Sequence, residues 1–269
     1  MKIGAYQFAV TGNLEGNAKI IENVVIKAAE AGVKLLLFPE CSLTGYPPRD
    51  IKNSAVVDFR KVSYVFEYLQ RLVNERGISV VLGAITEEKG KRFNSAVVFR
   101  PGQEKLIYSK RALWGWDQDN FSPGEQSGIF EIEGWKVGVR ICFEVRFPEY
   151  FRELYRERTD LNLILFYDVA DHDDRERYEL IKAHVRTRAV ENVAYTLSVD
   201  AIHPYQTAPT GIYDRSGYPL LELKRNREGM LLYDLANRDP DFGEQGRRQI
   251  SDRLTAPERQ IHAGGYSDV

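Results

Sequence analysis

A cysteine, a glutamate and a lysine, each closing an apolar run, are the residues through which this chain could do chemistry. Cys142 follows Trp135-Lys136-Val137-Gly138-Val139-Arg140-Ile141 and precedes Phe143-Glu144-Val145-Arg146-Phe147-Pro148-Glu149. Its thiol is therefore expected where a buried strand turns sharply into a helix. Pro148 suits a first helical position, where the amide it lacks would have no intrahelical partner, and Glu149 favours the positive end of the helix dipole. Two other segments have the same form: Val33-Lys34-Leu35-Leu36-Leu37-Phe38-Pro39 ends in Glu40, and Lys105-Leu106-Ile107-Tyr108-Ser109 leads to Lys110. Cysteine attacks as thiolate, yet a free thiol near neutral pH is mostly protonated. A carboxylate such as Glu40 can take that proton and return it to a leaving amine. As the thiolate adds to an amide or nitrile carbon, negative charge grows on the substrate heteroatom. Lys110 and the backbone amide of Phe143 are the expected donors, and removing one such donor typically costs about 3–4 kcal/mol in barrier.

Taken singly, a buried cysteine is an ordinary packing residue, and lysine or glutamate at a strand end is an ordinary solvated rim charge. Only the three together point to covalent hydrolysis. Asp171, His172, Asp173 and Asp174 form an acidic cluster, but adjacent residues cannot all converge on one ion and no His-Glu-x-x-His spacing occurs, so neither a metal nor another cofactor is expected. A cysteine–histidine site would have to use His172, His184, His203 or His262; His184, among Lys182 and Arg186, reads as a surface residue of a helix. Cys41, next to Glu40, is expected to face the opposite side of an alternating strand as a small packing residue.

The 269 residues carry 37 Lys and Arg against 39 Asp and Glu, a net charge of −2 that argues against a nucleic-acid surface. No stretch approaches the roughly 20 apolar residues of a membrane helix. Met1-Lys2-Ile3-Gly4-Ala5-Tyr6 enters a strand directly, without signal-peptide features, so a cytoplasmic location is expected. Two cysteines are too few for a disulfide framework, and a reducing compartment leaves both as thiols.

These residues are carried by alternating strand-like and helix-like segments. Asn13 caps a helix with Ile20, Val24 and Ala28 in line and Gly32 as its stop, and a second helix over 56–75 aligns Val62, Phe66, Leu69 and Val73. Strands follow over 78–85, 93–100 and 105–110. Beyond the Cys142 elbow come a helix over 148–158, a strand over 161–167, a helix over 175–191 and a strand over 194–200. Two hairpin-like strands surround Asp214-Arg215-Ser216-Gly217 and Glu228-Gly229. Helices that alternate with strands cover sheet faces, and runs of strands let two sheets pack together, which predicts an α/β fold built as a four-layer α-β-β-α sandwich. A single domain over 1–269 is expected. Its last residues, 238–269, show little apolar periodicity and read as a tail that is disordered or held by a partner subunit.

The segments Leu36-Leu37-Phe38-Pro39-Glu40-Cys41-Ser42-Leu43-Thr44-Gly45-Tyr46-Pro47, Tyr108-Ser109-Lys110 and Gly138-Val139-Arg140-Ile141-Cys142-Phe143-Glu144-Val145-Arg146-Phe147-Pro148-Glu149 resemble the three catalytic segments of the nitrilase superfamily, the carbon–nitrogen hydrolases. Phe121-Ser122-Pro123-Gly124 and Arg186-Thr187-Arg188-Ala189-Val190-Glu191-Asn192 are similar to two supporting segments, and the likeness runs from Met1 to about Asp234. The resemblance implies Glu40 as general base, Lys110 as the intermediate-stabilising cation and Cys142 as nucleophile. It also implies a homodimer packed through the helix after the cysteine strand and the helix carrying Arg188 and Glu191. Where many members carry a second glutamate, this chain departs from the pattern with Asp117, whose shorter side chain is the candidate for the auxiliary role, the alternatives being that the role falls to Asp119 or is absent; Tyr46 and Phe143 join it as substrate-binding candidates. Asp168, in Tyr167-Asp168-Val169-Ala170-Asp171-His172-Asp173-Asp174, is placed to meet a cationic or amino group on the substrate. The elbow looks like that of the omega-amidase-like members, and Thr44-Gly45-Tyr46-Pro47-Pro48-Arg49-Asp50 is similar to the glutaminase domain of NAD synthetases. With no room for a synthetase domain and no phosphate-binding loop, the expected activity is that of a free-standing small-molecule amidase. The alternatives are a carbamoylase or nitrilase of the same superfamily, or a dimeric binding protein that kept the fold.

Overall fold

A computed structural model describes residues 1–255. The chain divides into two compact units, Met1–Asn237 and a second beginning at Arg238.

The first unit contains two six-stranded sheets. The first has the order β14-β1-β2-β3-β4-β5, from β1 (Lys2–Gln7), β2 (Leu35–Leu37), β3 (Ser79–Glu88), β4 (Lys91–Phe99), β5 (Leu106–Ser109) and β14 (Gly229–Asp234). The second has the order β13-β12-β10-β8-β7-β6, from β6 (Ile129–Ile132), β7 (Trp135–Ile141), β8 (Leu161–Leu165), β10 (Tyr195–Val199), β12 (Gly211–Tyr213) and β13 (Pro219–Glu222). β9 (Val169–Ala170) and β11 (Tyr205–Gln206) form a small separate ladder. In each large sheet three parallel strands are flanked by antiparallel ones: β1, β2 and β3 in the first, β7, β8 and β10 in the second. Ligand sites of such sheets gather at the carboxyl ends of the parallel strands, and Glu40 and Cys142 lie just past the ends of β2 and β7.

The layers follow from the pleat, which turns successive side chains to opposite faces. Ile3, Leu35, Leu37, Val81 and Val98 of the first sheet meet Val137, Val139, Ile141, Leu163 and Leu197 of the second in one buried cluster between the sheets. The alternate residues Leu36, Val80, Leu82 and Val97 pack with Val24 and Val25 of α1 (Leu14–Glu30) and with Phe66 and Leu69 of α2 (Phe59–Arg76). On the far side, Ile164 and Phe166 pack with Phe151 and Leu154 of α4 (Pro148–Arg156) and with Ile181 and Val185 of α5 (Arg175–Asn192). This is the expected α-β-β-α sandwich. No helix among the described residues is long and apolar enough to cross a membrane.

Local signals set most boundaries. Asn13 Oδ1 accepts from Gly16 N at α1, and Asp58 caps α2, which ends at Gly77 in the left-handed region. The helix after the cysteine strand begins at Pro148 as expected, with a 3-10 turn over Cys142–Arg146 between it and β7. Two expectations are corrected. The strand around Gly229 is no hairpin partner of β13; β14 pairs antiparallel with β1 and closes the first sheet instead. The second unit carries α6 (Phe242–Thr255), where sequence periodicity predicted no regular structure. Its signal was a capping box: Glu244 N donates to Asp241 Oδ1 at 2.8 Å and Asp241 N to Glu244 Oε2 at 3.0 Å. Residues 256–269, including His262, lie outside the described residues.

Two glycines let backbones approach beside Glu40 and Lys110. A Cβ on Gly83 of β3 would lie 2.1 Å from Pro39 O and 2.5 Å from Cys41 N, and one on Gly124 would lie 2.2 Å from Ser109 O. Gly83→Ala is therefore expected to push the Glu40 turn off β3 and to cost at least about 1–3 kcal/mol, the usual range for overpacking. Urea unfolding of the variant checks this, and an unchanged midpoint would refute it.

Candidate active site

Glu40 and Cys41 lie in a turn after β2 rather than on a strand. Cys41 is fully buried with φ 50°, its sulfur 3.6 Å from Asn94 Oδ1. It is a packing residue, as expected, but the cause is the turn and not strand alternation. That turn joins the sheets, since Glu40 N donates to Phe166 O at 3.2 Å. Lys110, one residue past β5, is held by Asn94 O, which accepts from its amide at 2.8 Å, and by Gly124 N, which donates to its carbonyl at 3.0 Å. The Phe121–Gly124 segment thus braces the lysine backbone. Cys142 stands at the end of β7 with φ 46°. A non-glycine residue in that region costs of order 1–3 kcal/mol and persists where its surroundings enforce it.

The side chains converge. Lys110 is 2% exposed and Glu40 1%, so neither is a rim charge. Lys110 Nζ lies 2.8 Å from Glu40 Oε1 and 2.7 Å from Asp117 Oδ2. Asn94 Nδ2 donates to Glu40 Oε1 at 2.6 Å, and Tyr167 N donates to Glu40 Oε2 at 2.8 Å. Asp117 sits on α3 (Trp116–Asn120), a short helix the sequence reading did not foresee. It is buried, whereas Asp119 is exposed. Its Oδ1 accepts from Tyr46 OH at 2.9 Å, and the Tyr46 ring stacks on Tyr167 with centroids 4.9 Å apart. Cys142, partly accessible, lines a cavity of about 440 Å³ together with Lys110, Asp117, Tyr46, Phe143 and Asp168.

Burial is the largest force on Glu40, Cys142 and Lys110, because low-dielectric surroundings penalise charge. It raises the Glu40 carboxyl above its ordinary value, with Lys110 pulling the other way. It also pushes the Cys142 thiol well up, an effect the charge of Glu40 reinforces and Lys110 opposes. Burial alone would lower Lys110, but Glu40 and Asp117 overcome it and hold the ammonium well above its usual range. The resting site therefore combines a protonated thiol, a fixed ammonium and a carboxylate inclined to accept a proton.

Asp168 does not stand free for a cationic substrate group. Arg177 Nε and Nη2 bond its two oxygens at 2.7 and 2.9 Å, and Thr207 Oγ1 donates to it as well. Arg177 thus balances that charge from within the protein, while Asp168 still lines the cavity. The neighbouring acids diverge: Asp171 pairs with Arg49, Asp173 with Arg175 and Arg225, and Asp174 caps α5 by accepting from Arg177 N. His184 Nδ1 bonds Leu180 O on its own helix, and exposed His172 lines the cavity. Sequence reasoning missed Asn94 and Arg177. Asn94 was detectable only as a lone amide inside an apolar strand, and Arg177 as the first-turn cation after an acidic run.

Sequence comparison finds that a family model described as carbon–nitrogen hydrolase matches residues 2–236. The chain is 26% identical over 252 residues to a glutamine-dependent NAD(+) synthetase of Acinetobacter baylyi, covering 91% of this chain but 43% of that protein. It is 27% identical over 206 residues to an omega-amidase of Xenopus tropicalis, covering 72% of each. The fold superposes on an amidase from Nesterenkonia sp. AN1 with a TM-score of 0.78 and 26% identity, covering 94% of this chain and 99% of that one. One variant of that amidase was solved with acrylamide added to its active-site cysteine.

The buried ion group yields a stability test. Lys110→Ala would strand two buried carboxylates without a counter-charge, an expected loss of about 3–5 kcal/mol. Removing Lys61 from its exposed pair with Glu15 should leave the urea midpoint close to the parent's, because solvent screens that pair. Comparable urea midpoints for the two variants would contradict this account of Lys110.

Proposed function

The chain belongs to the carbon–nitrogen hydrolase family, and we propose that it hydrolyses a small-molecule amide through a thioester on Cys142. The observation that carries this reading is the buried Lys110 ammonium, 2.8 Å from Glu40, in the cavity that Cys142 lines. Omega-amidase and amidase relatives add support for an amide over a nitrile or carbamoyl substrate.

In the proposed cycle the Cys142 thiol gives its proton to Glu40 while sulfur bonds to the amide carbon. The carbonyl electron pair moves to oxygen, and Lys110 with the Phe143 amide stabilises the resulting oxyanion, a role worth most where water is excluded. Glu40 passes its proton to the amide nitrogen, the carbon–nitrogen bond breaks, and ammonia or an amine departs. Glu40 then takes a proton from water as the hydroxide equivalent adds to the thioester. Collapse of that second intermediate releases the carboxylic acid, and the departing sulfur regains its proton from Glu40. No redox partner or cofactor is required. Asp117 acts in this scheme as the second counter-charge that keeps Lys110 protonated and aimed, and Tyr46 holds Asp117 in place. We also propose a homodimer through α4 and α5, where Phe147 just before α4 is 37% exposed and Leu180 of α5 is 51% exposed.

A panel of small amides, nitriles and carbamoyl amino acids, scored for ammonia release, tests the reaction. Amide turnover by the parent, abolished in Cys142→Ala, is expected, together with a thioester mass on the trapped enzyme. Turnover retained by Cys142→Ala would refute the scheme. Because Glu40 must be ionised to act as base and burial raises its carboxyl, kcat/KM should climb with pH through a midpoint above the ordinary 4.5. An acid limb centred at or below that value would count against Glu40 as the base.

A further inference from the structure

Glu144 lies two residues beyond the nucleophile, is fully buried, and does not line the cavity. Its carboxylate is nonetheless bonded to both segments that carry the chemistry. Oε2 accepts from Ile141 N at 2.7 Å, the amide immediately before Cys142, and Oε1 accepts from Arg111 N at 2.8 Å, the amide immediately after Lys110. Tyr108 OH, two residues before Lys110, donates to both oxygens at 2.8 Å. Ile141 ends β7 in the second sheet and Tyr108 belongs to β5 at the edge of the first, so one carboxylate spans the two sheets.

We propose that Glu144 is a positioning residue that sets the Cys142 sulfur against the Lys110 ammonium by tying the nucleophile elbow to the lysine segment. The inference rests on the thioester reading above, for which that separation matters. The elbow needs such a hold: Cys142 adopts a positive φ, and the Glu144 bond to Ile141 N secures the chain on its N-terminal side. The lysine segment is already fixed on its other side by Asn94 O and Gly124 N. The chemistry of the partners requires a carboxylate, since both oxygens meet N–H or O–H donors. A carboxamide of the same shape would turn its NH2 toward the amide of Ile141 or of Arg111. Charge is also balanced locally. The Arg111 and buried Arg140 guanidinium groups lie over the Tyr108 ring at 5.9 and 5.3 Å and share Glu153 Oε2 at 2.6 and 3.2 Å.

The test uses Glu144→Gln and Tyr108→Phe in the full chain, with turnover of an amide and alkylation of Cys142 by iodoacetamide as readouts. Misalignment of reacting groups by about 1 Å can cost about 10²-fold in rate, so kcat of Glu144→Gln is expected to fall by about that factor, with KM changed less than about threefold. Alkylation should slow in parallel. Tyr108→Phe keeps both backbone bonds to Glu144 and is expected to lose about fivefold in both rates, the effect of one ordinary hydrogen bond. A folded Glu144→Gln enzyme whose kcat and alkylation rate match the parent's overturns the proposal. Should that variant not fold, unchanged rates in Tyr108→Phe overturn it. Alkylation requires no substrate, so slow alkylation in the variants of an enzyme that turns over no amide would uphold the positioning role while the amidase reading fails.

Discussion

The rest of this structure is arranged around one buried ammonium. Taking the Lys110 charge out of water costs several kcal/mol, and only close, well-directed acceptors repay it. Glu40 and Asp117 supply them, from the turn after β2 and from α3, so two distant stretches of chain must arrive at one strand end. The same field governs the thiol. Burial and the charge of Glu40 keep Cys142 protonated, and Lys110 opposes them. In the proposed cycle such a thiol needs a base within reach.

Holding that group together is a matter of backbone as much as of charge. The turn bearing Glu40 lies against β3 because Gly83 has no side chain, and the Phe121–Gly124 segment lies against Ser109 for the same reason. The amide of Glu40 reaches the second sheet at Phe166, and the amide of Tyr167 returns to the Glu40 carboxylate. The proposed role of Glu144 extends this pattern, with a carboxylate again bridging the strand ends of two sheets. Such bridges give preorganisation: groups already in place need not reorganise as charge develops.

The cavity rim follows a different rule. Asp168 is answered by Arg177 and Asp171 by Arg49. Each pair joins residues far apart in sequence or on different elements, so these charges are matched within the protein. Arg49 also lies over the Trp116 ring at 5.6 Å, and Trp116 and Trp114 are 48% and 69% exposed where they line the cavity. Relatives as different as an NAD synthetase and an omega-amidase share the family. Function in such a case is decided by what the loops place around a common scaffold.

What could be read from residues alone were the features encoded locally. Apolar periodicity located α1, α2 and α5, the alternation of elements implied the four layers, and three strand-closing residues identified Glu40, Lys110 and Cys142 as a group. Cap chemistry was legible at Asn13, and would have been at Asp241 and Glu244 had the missing apolar stripe not weighed more. Which acid is free and which is spent was not legible. Asp168 and Asp117 look alike as acids in loop sequence, yet one is clamped by Arg177 and the other borders Lys110 and Tyr46. Nor does an alternating pattern reveal that β14 pairs with β1 across the chain, or that Asn94 turns its amide to Glu40. Those outcomes depend on contacts the local pattern does not encode, from Asp168 with Arg177 nine positions on to β1 with β14 at the far end of the first unit. Side-chain period records which face of a strand is buried, but only the packed structure decides which charge meets which.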